Sequence, residues 1–275
     1  MRFGLFGLNF GPCADPALAI RVAVAAEETG FESVWTGEHV AMPIRDNPVP
    51  TPAETPLLDS LVALANVAAH THRLRLGTGI LVLPHHNPVL LAKALTTLDL
   101  VSGGRLIAGF GGGYVEAEFR ALGVSFKDRG AITDEYLEAI RVLWTEELPR
   151  FQGRFAAFDG IRFEPKPRQR PHPPIVIGGH AAPALRRAAR FGDGWYGFGL
   201  TVEAAAPMVQ ELRRLRATTG RPPLEISLTT FEPLTPALVT QAGQAGVDRL
   251  IVMPRVRAEQ LEATVRALAQ FARAG

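Results

Sequence analysis

Glu38 and His39 close the stretch SVWTGEHV, Ser33 to Val40, whose residues Val34, Trp35 and Thr36 have the character of a buried strand before Gly37 breaks the pattern. A carboxylate beside an imidazole at the end of such a strand is a pair suited to holding and moving a proton. The plainer alternative makes Glu38 a loop cap and His39 a packed, hydrogen-bonded histidine. A parallel barrel tips the balance, because strand ends at its C-terminal face build the active site. The other strand ends are rich in glycine: GTGIL, with Thr78, Gly79 and Ile80; GFGGG, ending in Gly111, Gly112 and Gly113; and IGGH, with Gly178, Gly179 and His180. Glycine weakens a strand, so its concentration there suggests a ligand lying close to the backbone. GGHAAPALRRA also puts free N–H groups at a helix start, a ready anion site. Taken one at a time each glycine pair reads equally well as a tight barrel turn; together they favour a phosphorylated cofactor across the mouth.

Other chemistries find less support. The histidine pairs His70/His72 and His85/His86 lack the H-E-x-x-H pattern, so no metal is expected. His85 and His86, in LPHHNP, are candidates to line the pocket. No G-x-S-x-G elbow is present. Arg186, Arg187 and Arg190 read as a solvated helix face from which one arginine could reach a phosphate. Cys13 is the single cysteine and reads as a small buried residue without a disulfide partner.

The elements that position these residues alternate strand and helix. RFGLFGLN is followed by a helix with Asp15 as N-cap, Pro16 in its first turn and Gly30 as its stop. SVWTGEH precedes LLDSLVALANVAAHT, LRLGTGILVL precedes NPVLLAKALTTLDLVSGG, and RLIAGFGGG precedes TDEYLEAIRVLW, where Ile132, Tyr136, Ile140 and Leu143 keep one face apolar. PIVIGG, GWYGFG, EISLTT and RLIVMP each lead into a further helix, the last lined by Leu261, Val265, Leu268 and Phe271. Eight such units predict a single (β/α)8 TIM barrel over residues 1–275, with insertions after the second strand and before the fifth. The insertion before the fifth strand holds FQGRFAAFDGIRF, a hairpin candidate. An open dinucleotide-binding sheet is disfavoured, since GFGGGY carries Tyr114 where the fingerprint needs glycine.

The chain has 275 residues, 47% hydrophobic and 20% charged, a composition that fits one soluble barrel. With a net charge of +2 and no basic run, nucleic acid is not an expected partner. No apolar run nears the roughly 18 residues of a membrane span. The N-terminal MRFGLFGLNFG reads as a first strand rather than a signal peptide, so a cytoplasmic protein is expected.

The segments AEETGFESVWTGEHV, LRLGTGILVLPHHNPVLLAKALTTLDLVSGGRLIAGFGGGYVEAEFRALGV, RGAITDEYLEAIRVLWTEE and PIVIGGHAAPALRRAARFGDGW closely resemble the bacterial luciferase-like superfamily. More narrowly they resemble its short branch of oxidoreductases that use coenzyme F420, a deazaflavin. The resemblance implies a cofactor ring over the barrel mouth and a non-prolyl cis peptide at Gly79–Ile80. It implies a phosphate loop at Gly178, Gly179 and His180. It also implies a catalytic role for His39, giving or taking a proton as hydride moves, while Glu38 holds the cofactor or orients its neighbour. The sugar-phosphate dehydrogenases of this branch carry an acid where Tyr114 stands here; Tyr114 is a candidate proton donor or pocket wall. Two readings compete with hydride transfer to a small organic substrate: an FMN-dependent monooxygenase, and a flavin-binding barrel without turnover. The resemblance also raises a homodimer.

Overall fold

In chain order the described residues, 1–272 of a computed structural model, form eleven strands. These are β1 (Arg2–Phe6), β2 (Ser33–Thr36), β3 (Arg75–Thr78), β4 (Leu81–Val82), β5 (Leu106–Gly111), β6 (Phe151–Gln152), β7 (Ala157–Phe158), β8 (Ile175–Gly178), β9 (Gly194–Phe198), β10 (Glu225–Thr229) and β11 (Arg249–Val252). The helices are α1 (Pro16–Thr29), α2 (Ser60–His70), α3 (Pro88–Val101), α4 (Glu116–Ala121), α5 (Arg129–Thr145), α6 (Ala182–Phe191), α7 (Val202–Ala217), α8 (Pro236–Gln244), α9 (Ala258–Ala267) and α10 (Ala269–Ala272). Nine strands pair in the order β3-β2-β1-β11-β10-β9-β8-β5-β4, and β3 also pairs with β5, which closes the sheet. With β3 and β4 sharing one stave this is a parallel eight-staved barrel, as the alternation predicts. β6 and β7 form the antiparallel hairpin expected in the second insertion, with Phe151 opposite Phe158.

Local chemistry sets the boundaries. The Asp15 carboxylate accepts the Ala17 N–H at 2.9 Å, and Gly30 ends α1 at φ 93°. α2 begins at Ser60 rather than at Leu57, because the Asp59 side chain accepts the N–H groups of Leu61 and Val62. The strand read as LRLGTGILVL is interrupted: the Gly79–Ile80 peptide is cis, so β3 stops and β4 resumes two residues later. Gly77 faces Ile107, yet Leu81 faces Phe110, so this stave carries one more residue than its partner, a β-bulge.

Alternation along the strands sorts side chains into two cores. Leu5, Val34, Leu76, Ala108, Ile177 and Leu228 pack outward against the helices. Trp35, Ile107, Val176, Tyr196 and Ile251 fill the barrel, with Phe6, Ile80, Phe198 and Met253 stacked toward the mouth. The Tyr196 hydroxyl meets Thr229 Oγ1 at 2.6 Å, so this deeply buried phenol is hydrogen-bonded, and burial pushes its pKa far upward.

The opposite end is closed by charge. The Arg249 side chain has no exposed surface; it donates to both Glu32 oxygens at 2.9 Å, to Ser227 at 3.0 Å and to Glu225. Arg2 adds a second cation on Glu225 at 2.6 Å. Burial raises the Glu32 pKa, but the hydrogen bond and charge of Arg249 outweigh it and hold the carboxyl below its ordinary value. Removing the guanidinium leaves two half-buried carboxylates without their main partner, so Arg249→Met is expected to cost about 3–5 kcal/mol of unfolding free energy, read by urea denaturation at neutral pH. Since the folded pKa of Glu32 is depressed, the wild-type contribution is complete above its unfolded value near 4.5 and disappears as pH falls through the lower folded value. The Met variant should therefore lose less stability on acidification than the wild type.

Candidate functional site

The chain leaves β2 through Gly37, and two buried side chains fix its exit. Asn9 donates to the Gly37 carbonyl at 2.8 Å and accepts its N–H at 3.1 Å, while the Ser60 hydroxyl donates to the same carbonyl at 2.6 Å. Glu38 and His39 then diverge to different partners. The Glu38 carboxylate accepts the Val82 N–H at 2.6 Å through one oxygen and meets His86 Nε2 at 2.9 Å through the other. His39 Nδ1 lies 3.1 Å from Glu118 Oε2, and the other Glu118 oxygen accepts the N–H groups of Val40 at 2.7 Å and Ala41 at 3.3 Å. The adjacent acid and base therefore do not pair with each other; each belongs to its own carboxylate–imidazole couple.

Electrostatics follow from this wiring. Burial of Glu118 opposes ionisation, but the His39 hydrogen bond and charge, then the Ala41 and Val40 N–H groups, outweigh it and hold its pKa below the ordinary carboxylate value. Near neutrality Glu118 is thus an anion, which accepts the proton on Nδ1 and leaves Nε2 of His39 for exchange. For His86, burial lowers the pKa, yet the Glu38 hydrogen bond and charge, with help from Asp59, raise it overall. His85 differs: both ring nitrogens are buried without a partner, its ring stands edge-on to Phe119 at 4.5 Å, and burial pushes its pKa down. Tyr114 is 56% exposed and stands edge-on to His39 with ring centroids 6.2 Å apart. Burial and the Glu118 charge raise its phenol pKa, so the hydroxyl is protonated at neutral pH.

Several of the glycines make room for the chain's own side chains. A Cβ on Gly111 would lie 2.6 Å from Ile80 Cδ1, and one on Gly178 would lie 2.9 Å from Ile80 Cγ2. These two positions are bare because the Ile80 side chain, raised on the bulge, occupies the space. Gly77 likewise yields to the Trp35 ring, and a Cβ on Gly79 would lie 2.8 Å from Tyr196. Gly113, at φ 73°, packs against Val82 and Phe119. Gly112 alone of the GGG run would take a Cβ without a clash, in contact with Thr133 Oγ1 at 3.4 Å. The Thr78 hydroxyl is engaged on the adjoining stave; it accepts the Gly109 N–H at 2.7 Å and donates to the Gly109 carbonyl at 2.9 Å.

At the start of α6, Gly179 (φ 114°) and His180 are exposed, and the N-cap Ala181 offers no side-chain acceptor to the first turn. His180 Nε2 accepts the Phe198 N–H at 3.3 Å. Arg187 and Arg190 are taken by Asp134 and Glu138, which removes them as phosphate ligands.

Sequence reasoning gave no role to Glu118 and saw His86 only as pocket lining. Glu116 and Glu118 stand two apart in VEAEFRALG, and nothing local separates them; packing does. Glu116 stays solvated beside Arg120, whereas Glu118 is 2% exposed. The site thus combines a positioned imidazole, a bulged stave presenting Ile80, and an exposed helix start across the mouth. That arrangement can seat a flat ring with an anionic tail and exchange a proton beside it.

Comparison with known proteins agrees with this geometry. The chain is 32% identical over 280 residues to an uncharacterized protein of Mycobacterium tuberculosis, covering 98% of each. An F420-dependent glucose-6-phosphate dehydrogenase of Amycolatopsis mediterranei is 32% identical over 205 residues, 71% of this chain and 59% of that protein. An FMNH(2)-dependent dimethylsulfone monooxygenase of Pseudomonas putida is 34% identical over 155 residues, 55% of this chain and 42% of that protein. Among solved structures, the monooxygenase RslO1 from Streptomyces bottropensis superposes with a TM-score of 0.81 at 25% identity, covering 98% of both chains. The family profile described as luciferase-like monooxygenase matches residues 1–272, and the chain belongs to that family, whose oxidoreductases include both F420-dependent and FMN-dependent members.

Proposed function

We propose that the protein is an oxidoreductase that transfers a hydride between coenzyme F420 and a small organic substrate, with His39 moving the accompanying proton. The observation that carries this reading is the His39–Glu118 couple at the mouth, on the loop that leaves β2 toward the Gly79–Ile80 bulge. The residues fit the cofactor: Ile80 offers an apolar support, and Gly179, His180 and the uncapped start of α6 suit its phosphate. When bound, the deazaflavin supplies a carbon that accepts or releases a hydride.

The protein's own part is proton transfer and positioning. Glu118 keeps the Nδ1 proton of His39, so the mobile proton resides at Nε2. Glu38 has both oxygens engaged, so its role is to tie the chain after the bulge, through Val82, to the loop of His86 rather than to grip the cofactor. The exposed Tyr114 beside His39 is placed to wall the substrate space. The FMN-dependent monooxygenase is the second reading, favoured by the Pseudomonas putida relative.

Two experiments test the proposal. Fluorescence titration of the purified protein with coenzyme F420 and with FMN should show binding of the deazaflavin and not of FMN; the reverse, with oxygen consumed when reduced FMN is supplied, would establish the monooxygenase reading instead. With a substrate found by screening, His39→Ala should lower single-turnover oxidation of reduced F420 by about 10²–10⁴-fold without weakening cofactor binding. Glu118→Gln, which loses the anion that holds the tautomer, should give about a 10–100-fold loss, by analogy with carboxylates that orient a metal-bound histidine. Unchanged rates in both variants would remove His39 from the chemistry.

A further inference from the structure

Asn9 lies in the turn between β1 and the short helix Gly11–Ala14 and is fully buried. Its side chain bonds only backbone. Nδ2 donates to the Gly37 carbonyl at 2.8 Å and to the Leu58 carbonyl at 2.7 Å, while Oδ1 accepts the Gly37 N–H at 3.1 Å. Two carbonyls on one side and an N–H on the other leave one way round for the amide. The main-chain carbonyl of Asn9 also accepts the Leu58 N–H at 2.8 Å. An apolar side chain would fill this space at less cost if packing were all that was needed. An amide carries donors and an acceptor together, as the two backbone groups of Gly37 require.

Gly37 and Leu58 are the two feet of the insertion that follows β2. Among the described residues, the hydrogen bonds of residues 42–55 stay within the insertion, so it is tied down at its ends.

Both carboxylate–imidazole couples hang from the first foot. Glu38 and His39 follow Gly37 directly, and glycine is the residue whose backbone turns most freely. The Phe6 ring leaves little room for a side chain there, since a Cβ on Gly37 would lie 3.0 Å from Phe6 Cζ. The most pliable residue type thus stands immediately before the reacting pair, and the bonds on its backbone remove that freedom. Asn9 engages both its N–H and its carbonyl, and the Ser60 hydroxyl adds a second donor on the carbonyl at 2.6 Å. One residue earlier, the Thr36 carbonyl accepts the Gly79 N–H at 2.7 Å, so the bulge shares this anchorage. Beyond the pair, Glu118 takes up the N–H groups of Val40 and Ala41. His39 is therefore held from both sides, by Asn9 before it and by Glu118 after it.

We propose that Asn9 is a positioning residue for proton transfer: by holding both backbone groups of Gly37 it directs the His39 ring onto Glu118, so that Nδ1 keeps its proton and Nε2 is the atom left for exchange. The proposal rests on the reading of His39 as the proton-transfer group and names the residue that, with Glu118, sets its tautomer.

Nitrogen NMR spectra of the imidazoles test it in the full-length protein, with the His39 signals identified by their absence from His39→Ala. In the wild type the neutral His39 ring should be mainly the Nδ1–H tautomer. Asn9→Ala should move it toward the mixture of an unheld imidazole. The same variant should lower single-turnover oxidation of reduced F420 by about 10–100-fold, as a small misplacement of a reacting group does, and leave the F420 titration unchanged. Asn9→Ser, whose shorter side chain leaves room for water on the freed backbone groups, should do the same and stands in if the alanine variant does not fold. Thr29→Ala removes a buried hydroxyl that donates to the Ala25 carbonyl at 2.6 Å at the far end of α1, so it should lower stability and keep the wild-type tautomer and rate. A wild-type His39 without the Nδ1–H preference, a folded Asn9 variant with the wild-type tautomer or the wild-type rate, or the same changes in Thr29→Ala would each overturn the proposal. If the wild type does not oxidise reduced F420 with any substrate, the cofactor reading fails, and the tautomer alone decides whether Asn9 holds His39.

Discussion

The barrel closes at the seam where β3 meets β5, and that seam carries one residue more than its partner. The extra residue has to go somewhere, and the chain sends it inward as the Gly79–Ile80 bulge. Several features of the mouth depend on this. Ile80 needs glycine at 111 on the adjoining stave β5 and at 178 on β8, the stave beyond it. Thr78 uses its hydroxyl to replace ladder bonds with Gly109 that the bulge disrupts, so a buried polar group is satisfied while pairing resumes one register later. Glu38 then accepts the Val82 N–H just past the bulge and ties it to the loop leaving β2. A closed sheet leaves few ways to absorb an added residue, which is why so many neighbours are specified together.

Carboxylates accepting backbone N–H groups are a recurring device of this chain. Glu118 takes Val40 and Ala41, Glu27 takes His72, Arg73 and Leu74, and Glu135 takes Arg154, Phe155 and Ala156 at the hairpin turn. Each orders a loop, and at Glu27 and Glu118 the N–H donors help hold the carboxyl pKa below its ordinary value despite partial burial. At Glu118 the device does double service: the same side chain that orders residues 40 and 41 holds the ring of His39. A loop displacement at Val40 is thereby coupled to the orientation of the imidazole two bonds of chain away.

The barrel itself was legible because its signals are local and repeated: Asp15 before Pro16, Asn87 before Pro88, and apolar runs of strand length separated by helical periods. The hairpin at Phe151–Phe158 and the end of α1 at Gly30 were legible for the same reason. The position of His39 at the mouth followed from counting staves, and the family resemblance added the cis bond at Gly79. What local pattern could not supply was pairing between loops. Glu38 and His39 are neighbours in sequence, yet their partners lie 48 and 79 residues away, on separate crossovers. Composition shows that glycines leave space at Gly111 and Gly178 but not that the Ile80 side chain, from a different stave, packs there.

These placements divide the mouth into two unlike halves. Glu38, His39, His86 and Glu118 gather over β2, β4 and β5 as two carboxylate–imidazole couples, each holding its partner in a fixed orientation. Over β1, β9 and β11 the lining turns aromatic and aliphatic, with Phe6, Phe198 and Met253. A reaction centre needs groups held rigidly enough that a proton moves along one path, which paired charges provide. Phe6 stands on the boundary, one side of its ring toward Gly37 and Gly79 and the other toward a cavity between the ends of β1 and β11.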